Sequence, residues 1–432
     1  MASLDSLEPS KYELAYGSDS SASDVDYDTN CLGEIEMPDL SDIEEAIDKT
    51  DLFAFDPSKF SFCKDKSIVN ILKVGESGAL EFQSEIRDGV YGIVLWPEGK
   101  DEEYEILLDE MDIALPESTE WSNRSPKIGE FVFGKRYDGD WIRGYIIGAL
   151  PHLKLAMIDE AKVVAVTNIS TCDKPLSDMY AYSGVCELSD TTHKFVGGNG
   201  AQFKVMGRTD NGEPNEFVIQ IISKNHEVKA TLKPWVPMVE QMGVTCCEVP
   251  DQCEVIITGY RNHLFLYVRP ADAMGMARYN FIMDTVAQIA ERSPILEYPT
   301  VAQSAIALAP DGKYYRGYIT QVEDYRVQIM YHDLGHREFV DKKTLRVYPE
   351  FLKKLGYSIT KIYLRDVPEN IPPFMPIVRL LDDLIEREVP LVCSFHGLPT
   401  TEGVYLKYPD GSTLNGKIME TLEPYRIKRP SE

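Results

Sequence analysis

Residues 138–146 read DGDWIRGYI and residues 311–319 read DGKYYRGYI, so six of nine positions match at an offset of 173. The same offset relates residues 90–97 (VYGIVLWP) to residues 263–270 (HLFLYVRP). Because unrelated matches rarely share one offset, this self-similarity indicates an internal repeat. We therefore predict two copies of one unit, at 57–235 and 248–425, joined by a linker at 236–247.

Each copy has the pattern of a mainly β unit with a few helices. In the second copy, apolar runs bounded by turn residues predict strands at 255–257, 264–268, 304–308, 314–321, 326–331, 337–340, 359–364, 391–395 and 403–408. Amphipathic spacing predicts helices at 278–292 and 376–387. In this order, a four- or five-stranded barrel is inserted in the chain between two parts of a second small barrel, and the helices cover that second barrel.

The negative charge of the chain is concentrated at its N-terminus. Of the net charge of -26, residues 1–56 carry -14 and the other residues -12. This segment has too few apolar residues to offset the entropy of ordering, so we predict a disordered acidic tail over 1–56. Ser21 and Ser23 resemble acidophilic kinase sites, and the apolar residues of 38–55 leave open a short amphipathic docking helix. A second short tail is predicted at 426–432.

Composition disfavours several functional classes. An acidic chain is poorly suited to bind phosphate backbones, and no apolar run approaches the roughly 20 residues of a membrane span. Eight cysteines occur without a CxxC pair or a histidine at metal-ligand spacing. No phosphate-binding lysine loop or G-x-S-x-G elbow is present. We expect a soluble intracellular protein without enzymatic activity, metal, cofactor or membrane partner.

Residues 306–319 (IALAPDGKYYRGYI) and 327–336 (VQIMYHDLGH) resemble the Tudor-domain signature, in which an aromatic pair precedes Arg and a later strand ends in Tyr-x-Asp-Tyr-Gly-Asn. The flanking strands and helices are similar to the staphylococcal-nuclease-like, OB-type half of an extended Tudor domain. The resemblance implies two extended Tudor units, each a small Tudor barrel (cores about 126–168 and 301–349) joined to an OB-type barrel. It points to animal germline Tudor proteins of the PIWI-interacting RNA pathway.

In that family, four aromatic residues and one Asn hold a methylated arginine by cation–π attraction and a polar anchor. The resemblance places these five positions of the second copy at Ala309, Tyr315, Tyr331, Leu334 and His336. Since two of four rings remain, we expect only weak dependence on arginine methylation. In the first copy the positions are Arg136, Ile142, Met157, Glu160 and Lys162, which form no cage and predict a docking or structural module.

Two arginines and two aspartates match further family positions. Arg143 and Asp159 lie 16 residues apart in the first copy, and Arg316 and Asp333 lie 17 apart in the second. Each pair falls on neighbouring strands of the small barrel. We favour a structural Arg–carboxylate bridge in each copy, with contact to a ligand as the alternative.

These expectations combine into a scaffold of germline small-RNA silencing. The resemblance implies an arginine-rich partner, such as a PIWI-family Argonaute, together with other Tudor or granule proteins in a perinuclear, cytoplasmic germ granule. The alternative is single-stranded RNA binding by the OB-like halves. A modest basic cluster formed by Arg261, Arg269 and Arg278 would serve that alternative.

Overall fold

The structure, a computed structural model, describes residues 38–117, 121, 124–172, 174–211, 213–223, 226–243, 247–369 and 374–423. Its α-helices over these residues are α1 Ser41–Asp48, α2 Asp101–Glu117, α3 Lys174–Asp178, α4 Ala273–Arg292, α5 Met375–Glu386 and α6 Leu414–Leu422. None of the described helices is long and apolar enough to cross a membrane.

The described residues of the first repeat form these strands: β1 Ser77–Arg87, β2 Val90–Pro97, β3 Phe131–Lys135, β4 Trp141–Gly148, β5 Lys154–Met157, β6 Lys162–Ala165, β7 Asn168–Thr171, β8 Ser183–Leu188, β9 Gly200–Arg208, β10 Phe217–Ser223 and β11 His226–Pro234. Strands in the order β1-β2-β8-β11-β10-β9 close a barrel, the first outer barrel. The remaining strands, in the order β6-β5-β4-β3-β7, form the first inserted sheet, which lies between α2 and β8 in the chain.

In the second repeat, the strands over the described residues are β12 Cys253–Tyr260, β13 Phe265–Pro270, β14 Ser304–Leu308, β15 Tyr314–Val322, β16 Arg326–Tyr331, β17 Arg337–Asp341, β18 Arg346–Val347, β19 Thr360–Tyr363, β20 Leu391–Ser394 and β21 Tyr405–Lys407. The order β19-β13-β12-β20-β21 forms the second outer sheet. The order β17-β16-β15-β14-β18 forms the second inserted sheet, between α4 and β19.

The same Asp-Gly turn sets the register of both inserted sheets. Gly139 and Gly312 have φ values of 99° and 84°, a region that glycine adopts without steric cost. In the second repeat the turn returns the chain so that Leu308 pairs with Tyr314 in antiparallel strands. The mainly β fold, with a five-stranded sheet inserted in each repeat, is therefore confirmed.

The two repeats differ after the inserted sheet. In the first, β9 alternates buried and exposed residues, as expected for one strand of a barrel. In the second, the corresponding stretch contains α5, which buries Ile377, Leu381 and Leu384 along one face. The outer parts of the two repeats therefore differ: a six-stranded barrel closes in the first, and a five-stranded sheet covered by helices forms in the second.

The two repeats share apolar cores. Leu150, which follows β4, is 4% exposed and packs into the core of the second outer sheet. Leu398, which follows β20, is 5% exposed and packs into the core of the first inserted sheet. The Ser125 hydroxyl also donates a hydrogen bond to the carbonyl of Phe395. Consequently, each repeat completes part of the core of the other.

Residues 39–56 of the acidic N-terminal segment pack on the rest of the chain, which corrects the prediction of disorder for these residues. Helix α1 buries Ile43 and Ile47 against α4 and the residues after the second inserted sheet. Arg292 of α4 pairs with Asp42 at 2.8 Å. The alternative prediction of a short amphipathic helix is confirmed here, because three or four apolar side chains suffice when a partner surface supplies the rest of the core. Residues 1–37, with Ser21 and Ser23, and residues 424–432 lie outside the described part.

The segment predicted as a linker also packs on the first repeat. Met238 and Met242 join the apolar cluster that contains Trp235, and the Gln241 side chain donates to the carbonyl of Ala161 at 2.7 Å. The described cysteines are free thiols: Cys63, Cys172, Cys186, Cys247, Cys253 and Cys393. Cys31 and Cys246 lie outside the described residues.

Candidate functional site

The structure brings Arg316 and Asp333 together in the second repeat. Nε of Arg316 donates to Oδ2 of Asp333 at 2.7 Å, and Nη2 donates to Oδ1 at 3.1 Å. The guanidinium also donates to the carbonyls of Leu352, at 2.9 Å, and Gly356. Asp333 accepts two more hydrogen bonds, from the backbone N–H and the hydroxyl of Ser358, both at 3.0 Å. The pair therefore ties the inserted sheet to the chain that leads into β19.

Burial by itself would raise the pKa of Asp333, but the Arg316 guanidinium and the hydrogen bonds from Ser358 outweigh it and lower the pKa. The carboxylate is thus charged at neutral pH although Asp333 is 2% exposed. A buried carboxylate with a bidentate guanidinium partner and further N–H and O–H donors is a well-satisfied structural element.

Arg143 and Asp159 form the corresponding pair in the first repeat. Nε of Arg143 donates to Oδ2 of Asp159 at 2.7 Å, and Nη2 donates to Oδ1 at 2.8 Å. The guanidinium also donates to the carbonyls of Leu176, at 2.6 Å, and Tyr180. Arg143 and Arg316 are each 1% exposed. Because neither guanidinium reaches the surface, this geometry supports the structural interpretation over contact with a ligand.

The residues at the family's cage positions in the second repeat lie close together, and three of them, Ala309, Tyr315 and Tyr331, are buried. The rings of Tyr315 and Tyr331 are 5.3 Å apart at 55°, and these residues are 5% and 1% exposed. Ala309 and Leu334 pack in the same apolar cluster. The His336 ring lies 5.5 Å from the Tyr331 ring at 78°. Four of the five positions thus belong to the core of the inserted sheet, and His336, with its side chain 38% exposed, lies at the edge of that core.

Contact with the second outer sheet closes this site. Gly335 has a φ of 76°, and a β-carbon there would lie 2.2 Å from Cγ of Tyr267 in β13. A β-carbon on Gly259 in β12 would lie 2.5 Å from the carbonyl oxygen of Leu334. The loop that carries Leu334 and His336 is therefore pressed against the outer sheet. Only a residue without a side chain fits at Gly335.

Two carboxylates that the sequence-based site did not include lie beside the two tyrosine hydroxyls. The Tyr315 hydroxyl donates to Oδ2 of Asp311 at 2.7 Å. Burial raises the pKa of Tyr331, and the carboxylates of Glu338 and Asp311 add to this shift. The Tyr331 hydroxyl is buried and, among the described residues, has no partner within hydrogen-bonding geometry. The carboxylates of Asp311 and Glu338 therefore place negative charge beside the two buried tyrosines, and we call these two carboxylates the acidic edge.

The sequence could have predicted that both carboxylates lie near the tyrosines. Asp311 belongs to the repeated Asp-Gly turn, directly before the strand that carries Tyr315. Glu338 follows His336 by two residues, and alternate residues of a strand face the same side. Burial lowers the pKa of His336, which therefore stays neutral at pH 7. Its Nε2 lies 4.0 Å from Oε2 of Glu338.

In the first repeat no ring occupies any of the five family positions. Ile142 and Met157 are buried in the core of the inserted sheet. Arg136 pairs with Asp138 at 2.7 Å, and Lys162 pairs with Glu160 at 2.7 Å. The two cations at these positions are therefore neutralised by their own neighbours.

The predicted basic cluster is not an open groove. Arg269 is 2% exposed, pairs with Glu388 at 3.0 Å and lies over the ring of Tyr279 at 4.3 Å. Arg278 donates to the carbonyl of Leu52 at 2.5 Å. Of the three arginines, Arg261 alone is exposed. Over the described part of the chain, no group of three or more His, Cys, Asp or Glu residues is placed to hold a metal ion.

Comparison with known proteins assigns a family to part of the chain. The Tudor domain family model matches residues 247–366, which include β12 to β19. Comparison with curated protein sequences gives no significant match.

Several solved extended Tudor structures are similar to this chain at low scores. Extended-Tudor 10-11 of Drosophila melanogaster covers 79% of this chain and 98% of its own, with 12% identity and a TM-score of 0.32. Domain TD3 of mouse TDRD1 covers 41% and 95%, with 15% identity and a TM-score of 0.34. The Drosophila melanogaster Papi extended Tudor domain covers 40% and 97%, with 16% identity and a TM-score of 0.34. The region that matches the Tudor domain family model, residues 247–366, thus contains the second inserted sheet and its Arg316–Asp333 pair.

Proposed function

We propose that the chain is a non-catalytic interaction scaffold of germline small-RNA silencing, with extended Tudor domains at 57–235 and 248–425. The second domain binds arginine-rich segments of partner proteins with weak dependence on arginine methylation, and the first docks another protein. The Tudor family match at 247–366 supports an interaction role. The observation that carries the proposed specificity is the acidic edge formed by Asp311 and Glu338 beside two buried tyrosines.

The burial of the rings explains the weak dependence on methylation. Cation–π attraction requires a cation over the face of a ring, and the faces of Tyr315 and Tyr331 pack inside the sheet. The groups available to a cationic side chain are the carboxylates of Asp311 and Glu338. An unmodified guanidinium offers five N–H donors to such acceptors, and methylation removes donors. Added methyl groups would therefore find little aromatic surface to compensate.

The charge of the whole protein favours a basic partner. A net charge of -26 attracts arginine-rich peptides over long range and raises their association rate at low ionic strength. We propose a PIWI-family Argonaute as the partner, other Tudor or granule proteins as further partners, and a perinuclear germ granule as the location. Mouse TDRD1 domain TD3 has been solved with a MILI peptide containing dimethylarginine, and the BmPAPI domain with sDMA; both are findings about those proteins.

Titration of the full chain with an Arg-Gly peptide in unmodified and symmetrically dimethylated forms tests the proposal. We expect the two affinities, measured by fluorescence anisotropy, to agree within about tenfold, or about 1.4 kcal/mol. A larger preference for the dimethylated peptide would refute the proposed specificity. Failure of both peptides to bind would refute the proposed partner class.

Substitutions locate the binding site. Asp311→Asn and Glu338→Gln remove charge beside the tyrosines and should weaken both peptides, while Glu323→Gln, an exposed carboxylate next to the same sheet, should not. Tyr331→Ala should also weaken binding, whereas Met157→Ala at the corresponding position of the first repeat should leave it unchanged. Equal effects of the last two variants would mean that the site lies elsewhere.

RNA binding by the outer barrel and sheet remains the alternative to be separated by experiment. Because Arg269 is buried and paired, the structure adds no support for a basic groove. Filter binding of single-stranded RNA at two salt concentrations distinguishes the two functions. Phosphate contacts would give a steep loss of affinity with salt, and we expect no such binding.

A further inference from the structure

Helix α2 of the first repeat carries an apolar stripe on its outer face. Ile106 and Ile113 are 51% and 60% exposed. They are seven residues apart, so they lie on the same side of the helix, about 10 Å from each other along its axis. Glu102, Asp109 and Glu110 are exposed beside them. Among the described residues these three carboxylates form no ion pair, and they frame the stripe with negative charge.

In the second repeat, part of the corresponding helix face packs against the N-terminal segment of the chain. Helix α4 holds the same place in the order of elements as α2, and aligning the buried Leu107 with the buried Ile282, an offset of 175, puts Ile106 at the position of Phe281. Phe281 is covered by the N-terminal segment of the chain, because its ring lies 5.9 Å from that of Phe53. This position is therefore covered in the second repeat, whereas Ile106 is 51% exposed among the described residues of the first. The position of Ile113 corresponds to Gln288, which is exposed on α4.

The two helices differ in charge next to the covered position, although Asp109 and its counterpart Asp284 are both acidic. On α4, Arg292 pairs with Asp42 of the acidic helix α1, and Arg278 donates to the carbonyl of Leu52. In the same alignment, Arg278 of α4 corresponds to Glu103 of α2. A cation that binds the N-terminal segment in the second repeat is thus replaced by an anion in the first. The acidic helix α1 is complementary in charge to the arginines of α4. In the same way, a basic helix would be complementary to the carboxylates of α2.

We propose that the α2 face formed by Ile106 and Ile113 binds a cationic amphipathic helix of a partner protein. The partner helix would place apolar residues at i, i+3 or i+4, and i+7 on the two isoleucines, with Lys or Arg beside Glu102, Asp109 and Glu110. This inference rests on the docking role proposed for the first repeat and names its surface and its ligand class.

A second copy of this chain is a poor occupant of the same face. Its one described helix from the N-terminal segment, α1, carries Asp42, Glu44, Glu45 and Asp48 and would be repelled by the carboxylates of α2. A partner of opposite charge avoids this repulsion, since like charges placed together oppose association.

Two labelled peptides and the full chain test the proposal. The first peptide has the native sequence of residues 39–56. The second keeps its apolar residues but has every Asp and Glu replaced by Lys or Arg. We expect the charge-reversed peptide to bind the full chain at least tenfold more tightly than the native-charge peptide, as measured by fluorescence anisotropy. The double variant Ile106→Ser/Ile113→Ser should weaken that binding at least tenfold.

Matched controls separate the surface from general effects. Val74→Ser/Val196→Ser removes two exposed aliphatic side chains elsewhere on the first repeat, 57% and 69% exposed, and should leave the affinity unchanged. Circular dichroism and Tm of each variant should match those of the parent chain, because the substituted side chains lie at the surface.

Three outcomes would overturn the inference: no binding of the charge-reversed peptide, undiminished binding to Ile106→Ser/Ile113→Ser, or equal binding of the native-charge peptide. Sedimentation of the parent chain adds a fourth, because a dimer that the isoleucine variant dissociates would assign this face to self-association. The Arg-Gly titration at the second repeat is independent of these results. The two proposals can therefore fail separately.

Discussion

Replacement of Asp333 by Ala should destabilise the second repeat far more than loss of an exposed carboxylate from the same sheet. Arg316 keeps its positive charge at every accessible pH. Without Asp333, that charge stays at a site that is 1% exposed, with only the carbonyls of Leu352 and Gly356 as partners. Ser358 also loses the acceptor of two hydrogen bonds.

The expected magnitude follows from the burial of the pair. Removing one partner of a buried ion pair costs about 3–5 kcal/mol because the other charge is left uncompensated. For a unit of this size, that loss lowers Tm by about 6–20 °C, at about 2–4 °C per kcal/mol. In the first repeat the Asp159 side chain is 14% exposed, so water can reach it. Asp159→Ala should therefore cost less than Asp333→Ala.

The assay is urea unfolding followed by far-ultraviolet circular dichroism, with calorimetry for Tm. Glu323→Ala is the matched control, because Glu323 pairs with Arg326 on the same sheet with side chains 34% and 56% exposed. Exposed pairs contribute about 0.2–1 kcal/mol. A second variant, Arg316→Met/Asp333→Leu, removes both charges together and should recover most of the lost stability.

The reasoning would be refuted if Asp333→Ala lowered the free energy of unfolding by less than about 1 kcal/mol, or by no more than Glu323→Ala. It would also be refuted if the double variant were as unstable as Asp333→Ala. Either result would mean that the pair does not hold the inserted sheet to the segment before β19.

Other parts of the fold give predictions of equal sharpness. Burial, with the nearby Arg316 guanidinium, lowers the pKa of His332 from 6.5 to about 4, so only the unfolded chain takes up this proton between those values. Stability should fall as the pH drops from 6.5, by about 2.5 kcal/mol at pH 4.5 from this group, and urea unfolding of His332→Phe should show a flatter pH dependence; an unchanged dependence would contradict this. Leu398→Ala should cost about 2–5 kcal/mol and lower the Tm of the first inserted sheet, although Leu398 belongs to the second repeat; a shift confined to the second repeat would argue against a shared core. Ile43→Asp should release α1 and speed amide exchange over residues 41–48, and unchanged protection there would show that other contacts hold the helix.

Much of the fold could be predicted from local sequence. The repeat, the strand order of the inserted sheets and the Asp-Gly turns depend on patterns within a few residues, such as alternation of apolar side chains and a glycine at positive φ. The proximity of Arg316 and Asp333 was also predictable, because Arg316 lies on β15 and Asp333 comes just after β16, the strand that pairs with β15. The family resemblance named the residues of the reduced cage.

Whether that cage is open could not be read from the same residues. Tyr315 and Tyr331 are the residue types that bind a cation, and the local pattern does not tell a ligand-facing ring from a buried one. The closing contact joins Gly335 to Tyr267, which belongs to another sheet. The carboxylates of Asp311 and Glu338 became part of the site only when the strands placed them beside the two hydroxyls.

The sequence by itself determined which segments become strands and helices, where the repeat lies and which arginine meets which aspartate, since these depend on short-range pattern and connectivity. Tertiary structure decided burial: the order of residues 39–56 on α4, the exchange of Leu150 and Leu398 between cores, and the exposed stripe on α2. Burial is a property of surfaces that meet from distant parts of the chain, so an apolar side chain at one helix position contacts Phe53 in the second repeat, as Phe281, and is exposed in the first, as Ile106.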